Sequence, residues 1–379
     1  MDFIGNFAEY TFWFLVVLTV VVFFHELGHY AVARLCGVRV EVFSIGFGRE
    51  ILGHTTRSGT RWKVSLIPLG GYVKFFGDAG ASSEADRDLA NEMTEEERRV
   101  SFHHQSLPKR AAIVSAGPIA NFVLSVVILA GMFMLVGRPF TPPVVGAVVE
   151  DSAAEAAGMQ PGDRVVQIDN STIERFEDIR DIVMFNPETQ LELVVERDGA
   201  LLTLQATPRV TEITDSLGNI HRIGLLGISV SGREFVRLGP GGAVVAAVGE
   251  TYVLVKRTLQ GLGQIISGQR SAQELGGPIM IAQLSGERAS AEGWLPLLEL
   301  VVVISATLGL INLFPIPVLD GGHLAFYAIE AVRGRPLGER AQEYGYFVGL
   351  AMVVSLMVFA TFNDLTRPAV VEFFAKLVG

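Results

Sequence analysis

Four stretches without a charged residue limit what this sequence can fold into. Three of them, residues 111–136, 300–319 and 344–362, are close to or above the roughly 20 apolar residues that a helix needs to cross a bilayer. The fourth, 11–24, is shorter and runs directly into His25 and Glu26. Because a segment in lipid must satisfy its own backbone polar groups, the sequence predicts a polytopic α-helical membrane protein with about four transmembrane helices.

Composition and charge agree with this class. Half of the 379 residues are hydrophobic and the mean hydropathy is +0.41, which is more apolar than usual for a soluble enzyme of this length. Cys36 is the single cysteine, which excludes an intramolecular disulfide. The net charge of −10 gives no reason to expect a nucleic-acid partner.

Lysine and arginine near the helix ends indicate the orientation in the membrane. The segment 33–110 carries many, and the short loop after the third apolar stretch carries Arg333, Arg335 and Arg340, whereas residues 1–10 carry none. Both basic segments should therefore be cytoplasmic. The N-terminus, residues 139–296 and the C-terminus should lie on the other side, which is the periplasm for a multi-pass protein of a bacterial inner membrane.

The patterns divide the chain into seven segments. Residues 39–78 alternate apolar and polar side chains with many glycines and predict strands at 40–45, 62–66 and 72–76, and residues 80–99 predict an acidic cytoplasmic loop. The predicted boundaries are 1–38 for the first transmembrane helix, 39–107 for the strand region and loop, 108–138 for the second helix, 139–232 for a compact mixed α/β domain, 233–296 for an amphipathic helical linker, 297–332 for the third helix, and 333–379 for the fourth helix and the tail.

The strongest chemical signal is His25-Glu26-Leu27-Gly28-His29, an HExxH pattern. On a helix, residues four apart lie on one face, so both imidazoles can reach one metal ion. Zinc lowers the pKa of a bound water to about 7, and Glu26 can take the proton from that water. Ionisable groups in a spanning helix are costly and usually functional, which argues against two merely polar histidines at a helix end.

A catalytic zinc also needs a third protein ligand and an open position. Asp320, within the segment 312–322, is the best candidate, because two prolines and two glycines should break the helix there at membrane depth. Two alternatives stay open: an Asp that only caps the next helix, and His323 as a rival ligand. The remaining histidines fall in predicted loops or soluble segments and should be ordinary surface residues; they are His54, His103, His104 and His221.

At this point the motifs match a family. An HExxH in the first helix, with Leu319-Asp320-Gly321-Gly322 in the third, resembles the site-2 proteases, which are intramembrane zinc metalloproteases. Further segments resemble its bacterial, RseP-like branch: 43–48, 68–74, Gly117-Pro118-Ile119-Ala120-Asn121, and 312–322. The resemblance implies one zinc ion per chain, with His25, His29 and Asp320 as ligands and Glu26 as the general base.

The resemblance also implies substrate-binding residues. Asn312 is similar to an Asn of the third helix that positions substrate, and Asn121 to one placed near the active site. Gly70, Gly71 and Tyr72 lie in a region resembling a membrane-dipping β-hairpin that holds an extended substrate by strand pairing. Residues 139–232 resemble one periplasmic PDZ domain, where the best-known relatives have two in tandem.

The implied substrates are single-span membrane proteins, such as an anti-sigma factor or signal-peptide remnants, already shortened by an upstream site-1-type protease. The PDZ domain would then act as a size filter or a docking site. A catalytically silent scaffold that presents its PDZ domain is the main alternative, although the intact HExxH and Asp320 argue against it. A transporter is a weaker one, since the chain has only four predicted spans and no inverted repeat.

Overall fold

A computed structural model of the protein describes residues 2–80, 92–214, 220–232, 234–268, 272, 276–290 and 293–366. The chain forms two compact units. One comprises residues 1–130, 244–262 and 272–379, and the other comprises 131–243 and 263–271. Most of the predicted loop at 80–99 lies outside the described residues.

The elements follow in chain order. The first part contains α1 (Asp2–Leu35), β1 (Val40–Thr55), β2 (Arg61–Phe75), α2 (Glu95–Val100) and α3 (Leu107–Leu135). The middle part contains β3 (Arg138–Phe140), β4 (Val145–Val148), α4 (Ala153–Ala156), β5 (Arg164–Ile168), β6 (Ser171–Thr172), α5 (Phe176–Phe185), β7 (Leu191–Arg197), β8 (Ala200–Ala206), β9 (Arg209–Thr214), β10 (Ile220–Leu225), β11 (Ile228–Val230) and β12 (Glu234–Val236). The last part contains α6 (Pro240–Ile266), α7 (Pro278–Ser290), α8 (Leu295–Asn312), α9 (Asp320–Arg333) and α10 (Glu339–Leu365).

Four helices in the described part of the chain are long and apolar enough to cross a membrane. They are Ala8–Leu35, Leu107–Leu135, Leu295–Asn312 and Arg340–Leu365. The first is longer than the apolar stretch at 11–24, because α1 continues without a break through the HExxH residues. The third is shorter than predicted, since α8 ends at Asn312 and the chain becomes helical again only at Asp320.

The strand region forms a hairpin of two long strands, β1 with 16 residues and β2 with 15. The predicted strands at 40–45, 62–66 and 72–76 lie within these two strands, apart from Phe76. Residues 42–45 of β1 pair with 71–74 of β2 on one side and with 61–64 on the other, and residues 50–55 pair with 61–65. At its base, Phe43, Val73 and Phe75 are buried together with Ile113 of α3. Farther along the hairpin, large apolar side chains are exposed; they include Ile51, Leu52, Leu66 and Leu69.

Helix α9, which begins with Asp320, is also held near its other end. The Arg110 side chain at the start of α3 donates to the Glu330 carboxylate at 2.6 Å and lies 4.9 Å from the centre of the Tyr327 ring. Both ends of the ion pair are mostly buried, with 16% and 17% of the side chains exposed. The pair therefore fastens α9 to α3 at the end of α9 that is far from Asp320.

Helix α7 is fastened to the last apolar helix. The buried Asp364 carboxylate of α10 accepts hydrogen bonds of 3.0 Å from the backbone N–H groups of Gly277, Ile279 and Met280. It thereby satisfies donors that the first turn of α7 leaves unpaired and places a negative charge at the positive end of the helix dipole. Helix α7 packs on α1, so α10 is linked through it to the helix that carries the HExxH.

The second unit is built on a four-stranded antiparallel sheet in the order β6-β5-β7-β8. In β7, Leu191, Leu193 and Val195 are buried while the residues between them are more exposed, which is the period-2 pattern of a sheet with one covered face. Ile179 and Val183 of α5 pack in the same core. Shorter strand pairs complete the unit: β4 with β11, β9 with β10, and β3 with β12.

One ion pair ties this core to its turns. The Arg197 guanidinium donates to both oxygens of the buried Asp163 carboxylate at 2.7 Å, and to the Gly158 carbonyl at 2.8 Å. The Gln160 backbone N–H also donates to Asp163 at 2.8 Å. The hydrogen bonds from Arg197 hold the pKa of the Asp163 carboxyl below its usual value.

We expect the stability of residues 139–232 to depend on this pair. A lowered pKa in the folded state contributes stability above the unfolded pKa of about 3.9 and loses it as the pH falls through the folded-state pKa. Asp163→Asn should therefore weaken this unit at pH 7 and flatten its pH dependence below about pH 4. Urea unfolding read by pulsed hydrogen exchange of its peptides measures this. Asp181→Asn, in the exposed pair with Arg180, is the control. Equal stability of the Asp163 and Asp181 variants would contradict the assignment.

Candidate metal centre

Three ligand atoms from α1 and α9 meet at one point. His25 Nε2 and His29 Nε2 are 3.3 Å apart, and they lie 3.3 Å and 3.4 Å from Asp320 Oδ2. Zinc bonds of about 2.0–2.1 Å at tetrahedral angles place neighbouring ligand atoms about 3.3–3.4 Å apart. The three atoms thus match one face of a zinc tetrahedron, and its fourth position is left for water or substrate.

The surroundings of Asp320 decide between the alternatives. Its Oδ2 atom is buried and has no hydrogen-bond partner within the described residues, as expected of an atom whose partner is a metal. The N-cap of α9 is Leu319, and no side chain caps that helix, so Asp320 does not serve as the cap. His323 lines the same cavity but is not part of the three-atom cluster. The geometry therefore favours Asp320 as the third ligand.

The second nitrogen of each imidazole has a partner that orients the ring. His29 Nδ1 lies 2.9 Å from the Ile113 carbonyl, so it carries the proton and leaves the Nε2 lone pair free for a metal. His25 Nδ1 lies 3.1 Å from the side-chain amide of Asn121. If His25 also presents Nε2 to a metal, its Nδ1–H needs an acceptor, so we assign the amide oxygen of Asn121 to face it.

Asn121 lies near the active site as the resemblance implied, but its surroundings do not suit the predicted role in substrate binding. Its side chain is completely buried behind His25, where a substrate cannot reach it. Its backbone carbonyl accepts hydrogen bonds from Ser125 at 3.0 Å and from Ser305 of α8 at 2.8 Å. We assign Asn121 to the support of a ligand rather than to substrate binding.

Two glycines allow α1 and α3 to cross at the ligands. A Cβ atom at Gly117 would overlap the His29 ring, and one at Gly28 would overlap the Ala116 carbonyl. The close crossing brings the Ile113 carbonyl and Asn121 within reach of the two imidazoles. Gly117 belongs to the GPxxN segment seen in the sequence, but only the packing shows that it makes room for the His29 ring.

The ligand atoms line a cavity of about 220 Å³. Glu26, Asn312, Tyr72 and Val318 also line it, as does Gly71 of β2. Val73 of β2 lines it as well, so β2 lies directly beside Glu26. The predicted catalytic residues and three of the five predicted substrate-binding residues therefore share one cavity.

Packing explains why residues 70 and 71 are glycines. Gly70 has φ +134°, and a Cβ there would lie 2.7 Å from the Phe47 ring. A Cβ at Gly71 would lie 2.8 Å from the Ser44 carbonyl oxygen and 3.0 Å from Cγ of Glu26. Gly71 therefore lets β2 approach α1, and Gly70 leaves room for the Phe47 ring of β1.

The prediction that His103 is an ordinary surface residue was wrong. His103 Nε2 lies 2.9 Å from the carboxylate of the buried Asp78, which also accepts the Phe75 backbone N–H at 2.8 Å. Burial raises the pKa of the Asp78 carboxyl. No spacing in the sequence signals this contact, since Asp78 and His103 meet only through the fold. His54 and His104 are exposed, and the His221 side chain lies outside the described residues.

Replacing Gly117 should disturb the metal centre without touching a ligand. Gly117→Ala places a methyl group against His29 and should lower zinc affinity about 10–100-fold, as loss of ligand support typically does. Gly131→Ala in the same helix is the matched control, because nothing lies within 4 Å of its Cβ position. Zinc content after dialysis against graded chelator measures the difference. Equal zinc retention by both variants would remove the proposed role of Gly117.

The third ligand can be tested by comparing two neighbouring residues. Asp320→Ala should lower zinc occupancy and activity together, because a catalytic zinc with two protein ligands is poorly held. His323→Ala should leave most of the zinc in place. The measurement is metal content of both purified variants beside their activity. The opposite order would identify His323 as the ligand.

Comparisons with known proteins bear on this centre. A model of the family described as peptidase family M50 matches residues 13–356. Proteins named as zinc metalloproteases from Agrobacterium fabrum and Rhizobium meliloti are 47% and 46% identical; the matches cover 96% and 93% of this chain and 97% and 95% of theirs. The metalloprotease MmpA of Caulobacter vibrioides is 39% identical over 96% of this chain and 97% of its own.

One solved structure matches a smaller part. The PDZ domain of an SdrC-like protein from Listeria monocytogenes is 17% identical, covers 24% of this chain and 88% of its own length, and has a TM-score of 0.19. At that score the likeness does not bear on the fold of the segment.

Proposed function

The chain belongs to peptidase family M50, and from this we propose that it hydrolyses peptide bonds in or near the transmembrane segments of single-span membrane proteins. It is a zinc metalloprotease with four helices apolar enough to make it a multi-pass membrane protein. The observation that carries the proposal is the shared cavity: three zinc-compatible ligand atoms, Glu26 and the β2 strand meet at the end of an apolar helix.

We assign the zinc to His25, His29 and Asp320. Bound zinc supplies a Lewis acid that lowers the pKa of water to about 7 and polarises the scissile carbonyl. Glu26 takes the proton of the attacking water and delivers it to the leaving nitrogen.

Strand β2 can hold the substrate in a cleavable form. A helix hides its peptide bonds in its own hydrogen bonds, so a transmembrane substrate must be unwound before hydrolysis. Within the described residues, 71–75 of β2 pair along one edge only, with 40–45 of β1, so the other edge of this part of β2 can accept an extended chain. Asn312, at the end of α8 in the same cavity, has an amide that can both donate to and accept from a substrate backbone.

We further propose the setting of this reaction. The protein lies in the bacterial inner membrane with both termini and residues 139–232 in the periplasm and residues 39–107 on the cytoplasmic side, as the distribution of Lys and Arg supports. Its substrates are of the anti-sigma-factor type or signal-peptide remnants, shortened first by a site-1-type protease. Residues 139–232 act as a PDZ-like docking site or size filter.

A catalytically silent scaffold is the second candidate function. A protein that only presented a docking domain would need neither the ligand geometry nor Glu26 beside it. Both are present in one cavity, which favours the protease.

Glu26→Gln tests the proposed reaction directly. The change removes the base but keeps the shape, so zinc should stay bound while cleavage of a tagged single-span substrate falls by at least about 10²–10⁴-fold. Zinc content and cleavage are measured on the same preparation in detergent. A wild-type sample treated with chelator and then restored with zinc is the control. Wild-type turnover by the Glu26→Gln protein would exclude Glu26 as the base.

Proline in β2 tests how substrate is held. Proline removes a backbone donor, and N–H groups of neighbouring strand residues point to opposite edges. Proline at successive positions in 72–75 should therefore reduce cleavage sharply at alternate positions, whereas alanine at the same sites should do much less. Zinc content checks that the metal centre survives. Unchanged cleavage by every proline variant would contradict strand pairing and leave the zinc assignment intact.

A further inference from the structure

Val318 has a backbone conformation that its residue type does not favour. Its φ is +96°, whereas the other non-glycine residues with positive φ in the described ranges are Asp or Glu with φ between 49° and 57°. A β-branched residue at positive φ is a true outlier, because its side chain crowds the backbone. Such strain persists only where the surrounding structure enforces it, and it is often found at functional sites.

The surroundings of Val318 do enforce it. The Leu319 backbone N–H donates to the Ile316 carbonyl at 3.0 Å, which closes a turn with Pro317 and Val318 at its centre. A proline followed by a residue with positive φ is the pattern of a type II turn, in which glycine or asparagine normally takes the second central position. The turn is packed so closely that a Cβ atom at Gly349 would overlap the Pro317 carbonyl and one at Gly322 would overlap the Ile316 carbonyl.

A glycine at 318 would relieve the strain, and glycine already stands at 321 and 322 of the same segment. The presence of valine instead of glycine therefore suggests that the Val318 side chain itself has a role. It lines the catalytic cavity beside Asp320, together with Asn312, Tyr72 and Glu26. Other apolar residues, including Val73, Phe75 and Leu319, also line the cavity. Val318 differs from them because it is held on a strained turn two residues from Asp320, so its isopropyl group is an apolar wall in a fixed position close to the proposed ligand.

We propose that Val318 is a specificity-determining residue whose side chain contacts the substrate residue next to the scissile bond and limits its size. This inference rests on the proposed function of the same cavity. The rigid turn keeps the isopropyl group in place, so a bulky substrate residue cannot push it aside. Small residues fit against the wall, and they also favour the unwinding that cleavage needs when they are glycine.

The test compares Val318→Gly, Val318→Ala and Val318→Ile with wild type. Mass spectrometry first locates the bond that the wild type cleaves in a single-span substrate, and the flanking residues are then varied among Ala, Leu and Phe. The ratio of kcat/KM for Ala to that for Phe should fall by about tenfold or more in the Gly and Ala variants and rise in the Ile variant, since a few carbon atoms in an apolar pocket discriminate by about this much. Zinc content should stay at the wild-type level, and Val318→Gly should be at least as thermostable as Val318→Ala.

Val354→Ala on α10 is the control, because that valine is exposed outside the cavity and should leave the ratio unchanged. A ratio within about twofold of wild type in all three Val318 variants would overturn the inference while the protease function stands. Loss of zinc from both the Gly and Ala variants would also overturn it and would assign Val318 to shaping the Asp320 ligand. A zinc-loaded wild type that cleaves no single-span substrate would overturn the proposed function, and this inference with it.

Discussion

The arrangement of helices in the first unit depends on one constraint: two imidazoles and a carboxylate must come together within helices that are otherwise apolar. Separate burial of these groups in a low-dielectric setting would be costly, because each would lose its water without gaining a partner. Placed 3.3–3.4 Å apart around one point, they can share one cation, which would compensate all three. In the proposed enzyme the metal centre would therefore serve catalysis and also compensate the cost of placing such polar residues within membrane-spanning helices.

This requirement explains why the third apolar stretch is broken. A continuous helix through 313–319 would keep its backbone groups paired and its side chains on a regular spiral, with no freedom to bring Asp320 toward α1. Pro315 and Pro317 remove backbone donors, and the glycines at 321 and 322 let the next helix pack against the irregular segment. The strained turn at Val318 is then the local cost of aiming a carboxylate at two histidines about 290 residues earlier in the chain.

How much of this could be predicted from the sequence depends on how local each feature is. His25 and His29 follow from helical spacing alone, and the four apolar spans follow from composition. Asp320 was reached through the proline and glycine signals around it. The support of the ligands by Ile113 and Asn121, the need for Gly117, and the contact between His103 and Asp78 arise only when separate helices and strands meet, so no local pattern contains them. The three predicted strands of the hairpin are present as paired segments of β1 and β2. The continuation of both strands past their glycines was not predicted, because glycines usually end strands, whereas here shifts in register accommodate them.

Helix α3 emerges as the scaffold of the centre. Its Ile113 carbonyl accepts a hydrogen bond from His29, and its Asn121 side chain orients His25. It also bonds to α8 through Ser125 and Ser305 and fixes α9 through the pair of Arg110 with Glu330. With every ligand-bearing helix tied to α3, the metal geometry has little freedom to change when substrate arrives. The adaptable side of the cavity is then residues 71–75 of β2, whose outer edge is unpaired among the described residues. A rigid metal face opposite an open strand edge is the arrangement expected of an enzyme that must keep its catalytic distances fixed while it accepts an unwound chain.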